Sequence, residues 1–379
     1  MIIGTVLVTH LECLRCRTRY PMDPRAYLCP ACGAGDDGAD PGILDVRYDY
    51  AAARKQMPFE ARSDIFRYLP LLPIGKPAPV LPAGATPLVP APTLAARFGL
   101  AALYLKDETR NPTRCLKDRA TAIAATLAVE SGASNVYCAS AGNAAISLAG
   151  FAAHLGLWCH VFVPSYASAT RLDWLRRFGA DIRVSAGNYD QAFAEAEEAG
   201  SELGWFSRNC AFNPFLVEGK KTCALEIAEQ FIPDFVVAPV GDGCTLGAIG
   251  KGFREARELG IADRLPRLIG VQAEGVQPMV SRFRGGPAAA EGETEAASIA
   301  VRRPRNARRL LGELEASLGE MIAVPDAMIA DAQRHLAEEA GVVAEFTSAA
   351  TLAGLEALAL RESVAGKLAV LVITGGRVD

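Results

Sequence analysis

Four segments of this 379-residue chain combine residue types and spacing that can do chemistry. Near the N-terminus, Cys13-Leu14-Arg15-Cys16 and Cys29-Pro30-Ala31-Cys32 are two C-x-x-C pairs with twelve residues between them. Such pairs bring four thiolates to one tetrahedral Zn²⁺, and a closed Cys₄ site leaves no position for substrate, so its role is structural. The gap is a little shorter than the commonest ribbon spacing. A redox pair or plain buried thiols are the other readings. The second segment is Asn111-Pro112-Thr113-Arg114-Cys115-Leu116-Lys117-Asp118-Arg119. A lysine at a helix start opposes the helix dipole. Held there and partly desolvated, its amine has the lowered pKa that a Schiff-base lysine needs. The plainer alternative is a solvated lysine paired with Asp118 or Glu108. The third is Ser140-Ala141-Gly142-Asn143, where small residues admit a ligand to the backbone and helix N–H groups favour an anion. An ordinary tight turn fits equally. The fourth is Gly241-Asp242-Gly243-Cys244-Thr245-Leu246-Gly247, a glycine-rich loop opening a helix, as a phosphate cradle requires. It is neither a P-loop nor a dinucleotide fingerprint. Asp242 suits a phosphate only if its side chain turns away.

The last two of these loops follow strands. Val136 to Ala139 reads as a strand before helix 143–155, and Phe235 to Val240 as a buried strand before the glycine loop. His160 to Val163, Asp181 to Val184, Leu268 to Gln272 and Leu368 to Ile373 are further strands, with helices expected over 117–131, 168–178 and 189–203. Strands alternating with helices of this length indicate an α/β fold with a mostly parallel sheet. The near-continuous apolar run at 368–373 fits a sheet covered on both faces. In open sheets of this kind ligands bind beyond the C-terminal strand ends, where the third and fourth segments lie. Residues 33–42 form a glycine-rich break, Leu44 to Tyr48 alternates as a short strand, residues 70–92 read as an extended connector, and residues 284–296 as a mobile surface loop.

Composition narrows the function. Half the residues are hydrophobic (50%) and 22% are charged, so most of the chain can bury a core. A net charge of −4 offers no global field for nucleic acid. Arg302, Arg303, Arg305, Arg308 and Arg309 form a local basic cluster, read as a solvated loop and helix start. No apolar run of about 20 residues suggests a membrane span. Met1 to Gly4 lacks the features of a signal peptide. Ten cysteines without an export signal imply a cytoplasmic, reducing setting.

Together these segments resemble fold type II pyridoxal-phosphate enzymes, the tryptophan synthase β-like family. Asn111-Pro112-Thr113 with Lys117-Asp118-Arg119 is similar to its Schiff-base motif, Ser140 to Asn143 to its substrate loop, and Gly241 to Thr245 to its cofactor-phosphate loop. Ala85-Thr86-Pro87-Leu88 is similar to an entry motif. Within the family the N-terminal ribbon, Glu218-Gly219-Lys220-Lys221-Thr222, Glu345-x-Thr347-Ser348-Ala349 and Thr374-Gly375 most resemble threonine synthases. The resemblance implies two open parallel-sheet domains with a cofactor cleft between them, plus a small N-terminal zinc ribbon. The expected division is 1–46 for the ribbon, 47–126 with 210–379 for a large cofactor domain, and 127–209 for a small mobile domain. It implies Lys117 as the Schiff-base lysine and proton shuttle. Gly241, Asp242, Gly243, Cys244 and Thr245 would hold the cofactor phosphate through backbone N–H groups, with Asn143 at the ring oxygen and Thr374 at the pyridine nitrogen. Thr86, Ser140, Ala141, Gly142, Arg171, Lys220 and Lys221 would bind substrate, with Arg114 and Asn213 as further candidates for a second anion site.

The implied reaction converts O-phospho-L-homoserine and water to L-threonine and phosphate, in a homodimer that needs neither nucleic acid nor membrane. Departures stand at Arg114-Cys115-Leu116, Ala144, Asp242, Cys244 and Gly376-Arg377-Val378-Asp379, where the family usually has other residues. They keep open a β-replacement or β-elimination enzyme acting on O-phosphoserine, O-acetylserine, serine or threonine. A non-catalytic ribbon protein binding nucleic acid is a different class, and the −4 charge argues against it.

Overall fold

Two apolar runs become the centre of a six-stranded sheet, because only a strand covered on both faces can bury every side chain. The computed structural model describes residues 7–35, 40–286 and 292–376. The expectations for Met1 to Gly4, for part of 33–42, for part of 284–296 and for Arg377 to Asp379 lie outside the described residues. The strands, in chain order, are β1 (Val8–Cys13), β2 (Arg19–Tyr20), β3 (Leu44–Tyr48), β4 (Leu88–Pro90), β5 (Ala102–Asp107), β6 (Asn135–Ala139) and β7 (Trp158–Val163). They continue with β8 (Asp181–Val184), β9 (Phe206–Ser207), β10 (Phe235–Pro239), β11 (Arg267–Ala273), β12 (Glu320–Val324) and β13 (Leu368–Ile373). Three sheets result. The large one runs β12-β11-β10-β13-β5-β4, the small one β8-β7-β6-β9, and β2-β1-β3 forms the N-terminal ribbon.

The small sheet is parallel throughout. The large sheet is mostly parallel, as expected, and only its edge strand β4 runs antiparallel, to β5. The proline-rich stretch that holds β4 suits an edge, where missing N–H donors do not interrupt a ladder. The ribbon sheet extends through Tyr48. Alternation along the large sheet's strands sorts their side chains between two cores. Phe235, Val237, Leu371 and Ile373 pack on one face with the helices Asp326–Ala340 and Phe346–Ala359. Val236, Ala238, Val370 and Val372 pack on the other with Phe215–Ala228 and Cys244–Leu259.

Three helices stack in direct backbone contact behind the strand ends. A Cβ on Gly219 would lie 2.0 Å from the carbonyl oxygen of Arg119, and one on Gly252 would lie 2.4 Å from that of Lys221. Glycine at these two crossings therefore sets how close Lys117–Glu130, Phe215–Ala228 and Cys244–Leu259 approach one another.

Two networks of buried charge pin this stack. In the first, Arg119 donates to Glu108 at 2.7 Å and to Glu226 at 2.6 Å, while Lys106 donates to Glu226 at 2.6 Å. Thr86 completes it by donating to Glu108 at 2.7 Å. In the second, Lys251 donates to Asp45 at 2.9 Å and Glu218 at 2.7 Å, and Arg309 donates to Asp45 at 2.6 Å. Lys221 donates to Glu218 at 2.6 Å and is paired with Glu255 at 2.6 Å. Burial alone would push the Asp45 carboxyl up, but Lys251 and Arg309 hold it well below the usual carboxylate range. This network ties strand β3 of the ribbon to the helices behind the cleft. On its other side the ribbon touches the small sheet, where Arg25 donates to Gly204 O at 3.0 Å and Tyr27 accepts from Ser207 N at 3.2 Å.

Removing one member of such a network strands its partners' charge in a dry interior. Arg119→Met, which leaves Glu108 and Glu226 without their guanidinium, should cost about 3–5 kcal/mol of unfolding free energy. A denaturant titration checks this, and an unchanged midpoint and slope would contradict it.

Candidate active site

A cleft of about 510 Å³ opens where β6, β10 and β13 end, and Lys117, Asn143, Arg171, Gly243, Lys220 and Thr374 are among the side chains and turns that line it. Lys117 is the first residue of its helix. Main-chain ties fix it to the end of β13. Leu116 N donates to Thr374 O at 2.9 Å, Gly376 N donates to Arg114 O at 3.2 Å, and Cys115 forms an antiparallel bridge with Gly375. The carboxylates that could have paired with the amine are engaged elsewhere. Asp118 accepts from Thr113 N at 2.6 Å and Thr113 Oγ1 at 2.5 Å, and Glu108 accepts from Arg119. Burial lowers the pKa of Lys117, and the positive charges of Lys220 and Arg208 lower it further. The pairing with Asp118 or Glu108 is thereby excluded, and burial shifts the amine towards its neutral, nucleophilic form.

Asn143 opens the helix Asn143–Leu155 at the end of β6, with Gly142 as its N-cap. Its Nδ2 donates to Glu345 Oε2 at 2.8 Å and Oε1 at 3.1 Å. Ser140 Oγ accepts from Gly142 N at 3.1 Å, which shapes the turn, and Ser140, Ala141 and Gly142 line the cleft. A Cβ on Gly142 would lie 3.7 Å from Arg171 Nη1, so this guanidinium stands beside that turn. On the opposite side Gly243 adopts φ +89°, a left-handed conformation natural only to glycine, and the helix Cys244–Leu259 starts immediately after it. Gly241, Asp242, Cys244 and Thr245 line the same wall. Asp242 does turn away. Its Oδ1 accepts from Arg305 N at 2.6 Å and its Oδ2 from Asn306 Nδ2 at 2.6 Å, and burial pushes its pKa up to about 6. Thr374 Oγ1 lies 2.9 Å from Ser348 Oγ at the end of β13.

Not every expected residue arrives. Thr86 is buried in the Arg119 network and Lys221 in the Glu218 network, so neither lines the cleft. Asn213 is buried, donating to Ser207 O at 2.8 Å, and exposed Arg114 also stands outside. Other residues were not anticipated. Arg208 and Cys210 lie on the cleft wall after β9, a strand of two residues too short for any periodic signal. The arginine cluster divides: Arg302, Arg303 and Arg308 are exposed, as expected of a solvated loop and helix start, and Arg305 and Arg309 are not. Arg302, Arg303 and Arg305 line the cleft, while Arg309 is buried against Asp45. Glu345, in the Glu345-x-Thr347-Ser348-Ala349 segment, takes its place through its contact with Asn143.

The donor set fits pyridoxal phosphate. There is an amine with a lowered pKa, a left-handed glycine turn whose following helix leaves its first N–H groups unused by the helix, and a neutral hydroxyl at the end of β13. Residues 80–375 match the family described as pyridoxal-phosphate dependent enzyme. The chain belongs to this family. It is threonine synthase-like within it. It is 35% identical to threonine synthase of Methanosarcina acetivorans, across 97% of this chain and 91% of that one. It is 37% identical to threonine synthase of Synechocystis, across 83% and 82%. Among solved structures it is similar to threonine deaminase isoform 2 of Solanum lycopersicum, with a TM-score of 0.68 at 20% identity over 94% and 95% of the two chains. A pyridoxal 5'-phosphate-dependent aspartate racemase gives 0.68 at 23% identity, covering 78% of this chain and 91% of that one. At that identity the likeness is one of fold.

Outside the cleft, the four ribbon cysteines converge, with all four sulfurs within 4.8 Å of one another. Cys16 and Cys29 are 3.6 Å apart and Cys13 and Cys32 are 4.0 Å apart. Four sulfurs at about 2.3 Å from one ion stand roughly 3.8 Å apart, so the cluster can hold Zn²⁺.

Lys117→Ala should abolish the borohydride-reducible attachment of pyridoxal phosphate to the protein, which intact-mass measurement reads directly. A reduced adduct on another lysine would contradict this assignment.

Proposed function

We propose that this protein is a threonine synthase acting on O-phospho-L-homoserine and water to release L-threonine and phosphate. The observation that carries the reading is a second cationic region in the cleft. The Gly241–Thr245 turn suits one phosphate, and Arg171 stands beside the Ser140–Gly142 turn on the other wall. A substrate that brings a carboxylate and a phosphate of its own needs both turn N–H groups and an additional cation. The named relatives, alike over most of their length, support the same reaction.

When bound, pyridoxal phosphate supplies an electron sink for charge developing next to the substrate's amino group. The chain's residues do the rest. Lys117 Nζ, held towards neutrality, takes and returns protons within the cleft. Ser140, Ala141 and Gly142 receive the substrate carboxylate. Asn143, oriented by Glu345, would hold the ring oxygen, and the Thr374 hydroxyl would serve the ring nitrogen without placing a negative charge there. Arg171 and Lys220 stabilise the phosphate leaving group. In this reading the ribbon holds a structural Zn²⁺ and the enzyme is a cytoplasmic homodimer. None of the described helices is long and apolar enough to cross a membrane.

A substrate panel separates this from the β-replacement alternative. Phosphate release from phosphohomoserine should exceed release from phosphoserine, and Arg171→Ala should raise KM for phosphohomoserine at least about tenfold, as loss of a charge-assisted contact implies. Equal or better turnover of phosphoserine or acetylserine would favour the alternative.

The metal reading has its own test. Purified protein should carry one zinc per chain, and a chelator or Cys29→Ser should lower Tm. Metal-free protein of unchanged Tm would overturn it.

A further inference from the structure

The proposed reaction leaves two thiols in the cleft without a task. Cys210 follows β9, and Cys244 opens the helix behind the glycine turn. Both sulfurs contact one amine, since Lys220 Nζ lies 3.3 Å from Cys210 Sγ and 3.1 Å from Cys244 Sγ. Arg208 Nη1 reaches Cys210 Sγ at 3.1 Å. Cys210 also packs against the small apolar cluster that contains Cys244, Val217 and Ala248. Among the described cysteines outside the ribbon, these are the two that line the cleft with a cation in hydrogen-bond contact; Cys138 lines it too, but as a buried thiol pushed up to about 12.

Cations at one sulfur and a thiol donor beside it favour a thiolate. A hydrogen bond from Cys244, with the charges of Lys220 and Arg208, holds Cys210 well below the ordinary thiol range. Cys244 keeps its proton, its pKa pushed up by that same hydrogen bond and by burial. One sulfur is thus prepared to attack and its neighbour to resolve, in a cleft open to small solutes.

We propose that Cys210 and Cys244 form an oxidation site at which a hydroperoxide converts the pair to a disulfide across the cleft wall. The Cys210 thiolate attacks one peroxide oxygen. An S–O bond forms and the O–O bond breaks. The sulfur is oxidised by two electrons, and the peroxide, with one proton from solvent, is reduced to water. Cys244 sulfur then attacks Cys210 sulfur. The S–S bond forms, the S–O bond breaks, and the hydroxyl leaves as water with the Cys244 proton. Two thiols and one hydrogen peroxide give one disulfide and two waters. The product takes the thiolate from Lys220 and ties residue 210 to the first residue of the helix that follows the glycine turn. This inference does not depend on which amino acid the enzyme converts.

The test uses the full chain loaded with pyridoxal phosphate. It is treated with a small excess of hydrogen peroxide, alkylated and mapped by peptide mass spectrometry. The expected result is a dithiothreitol-reversible link between the peptides of Cys210 and Cys244, with loss of two hydrogens. In Cys244→Ser the reaction should stop at a dimedone-reactive Cys210. Lys220→Gln should slow alkylation of Cys210 at neutral pH by about tenfold, because the thiolate fraction falls. Wild-type protein whose Cys210 and Cys244 both remain alkylatable after peroxide would overturn the proposal. So would an oxidised product that joins Lys220 to either sulfur in place of the disulfide.

Discussion

A partly buried amine at the start of a helix, with no carboxylate bound to it among the described residues, is the constraint around which this molecule is arranged. Lys117 stays reactive only if neighbouring carboxylates are kept from it and neighbouring cations are kept near. Asp118 is bound to Thr113, and Glu108 and Glu226 are bound to Arg119. Arg208 and Lys220 remain close enough to disfavour a second positive charge.

The same logic extends outward. The cleft joins the ends of β6, β10 and β13 with the start of the Lys117 helix, and their relative positions follow from three helices stacked at glycine crossings. The second charge network then carries the arrangement to the ribbon. Asp45, on a strand of the cysteine-bearing sheet, pairs with Lys251 in the helix that begins at the glycine turn. Arg25 and Tyr27 hold the ribbon to the small sheet as well. The module that carries the four clustered cysteines is thus attached to both walls of the cleft.

Much of this was legible beforehand, for definite reasons. Buried parallel strands are continuous apolar runs, so β10 and β13 stood out, and the 143–155 helix began at its Gly-Asn turn. Ordered motifs located Lys117, Asn143, the glycine turn and Thr374, because each is a local backbone device: a strand end, a tight turn, a helix start. The pairs of cysteines were equally local. What motif position could not distinguish was Lys220 from Lys221. One residue apart on a helix, they point about 100° apart, one into the cleft and the other into a buried pair with Glu218 and Glu255. Thr86 is a similar case, since its hydroxyl serves the Arg119 network and does not line the cleft.

The sequence by itself determined the fold class, the family resemblance and the segments that come together at the cleft, since these reside in residue spacing along short stretches of chain. Only the tertiary structure decided which charges are free to act. Whether Arg309 is a solvated cation or a buried partner of Asp45, and whether Cys210 and Cys244 are scattered thiols or a pair across Lys220, depends on contacts between residues tens to hundreds of positions apart. Electrostatic character is a property of surroundings, set by burial and by the nearest opposite charge. No local pattern encodes those surroundings, so the lysine that could do chemistry was readable early and the reason it can was not.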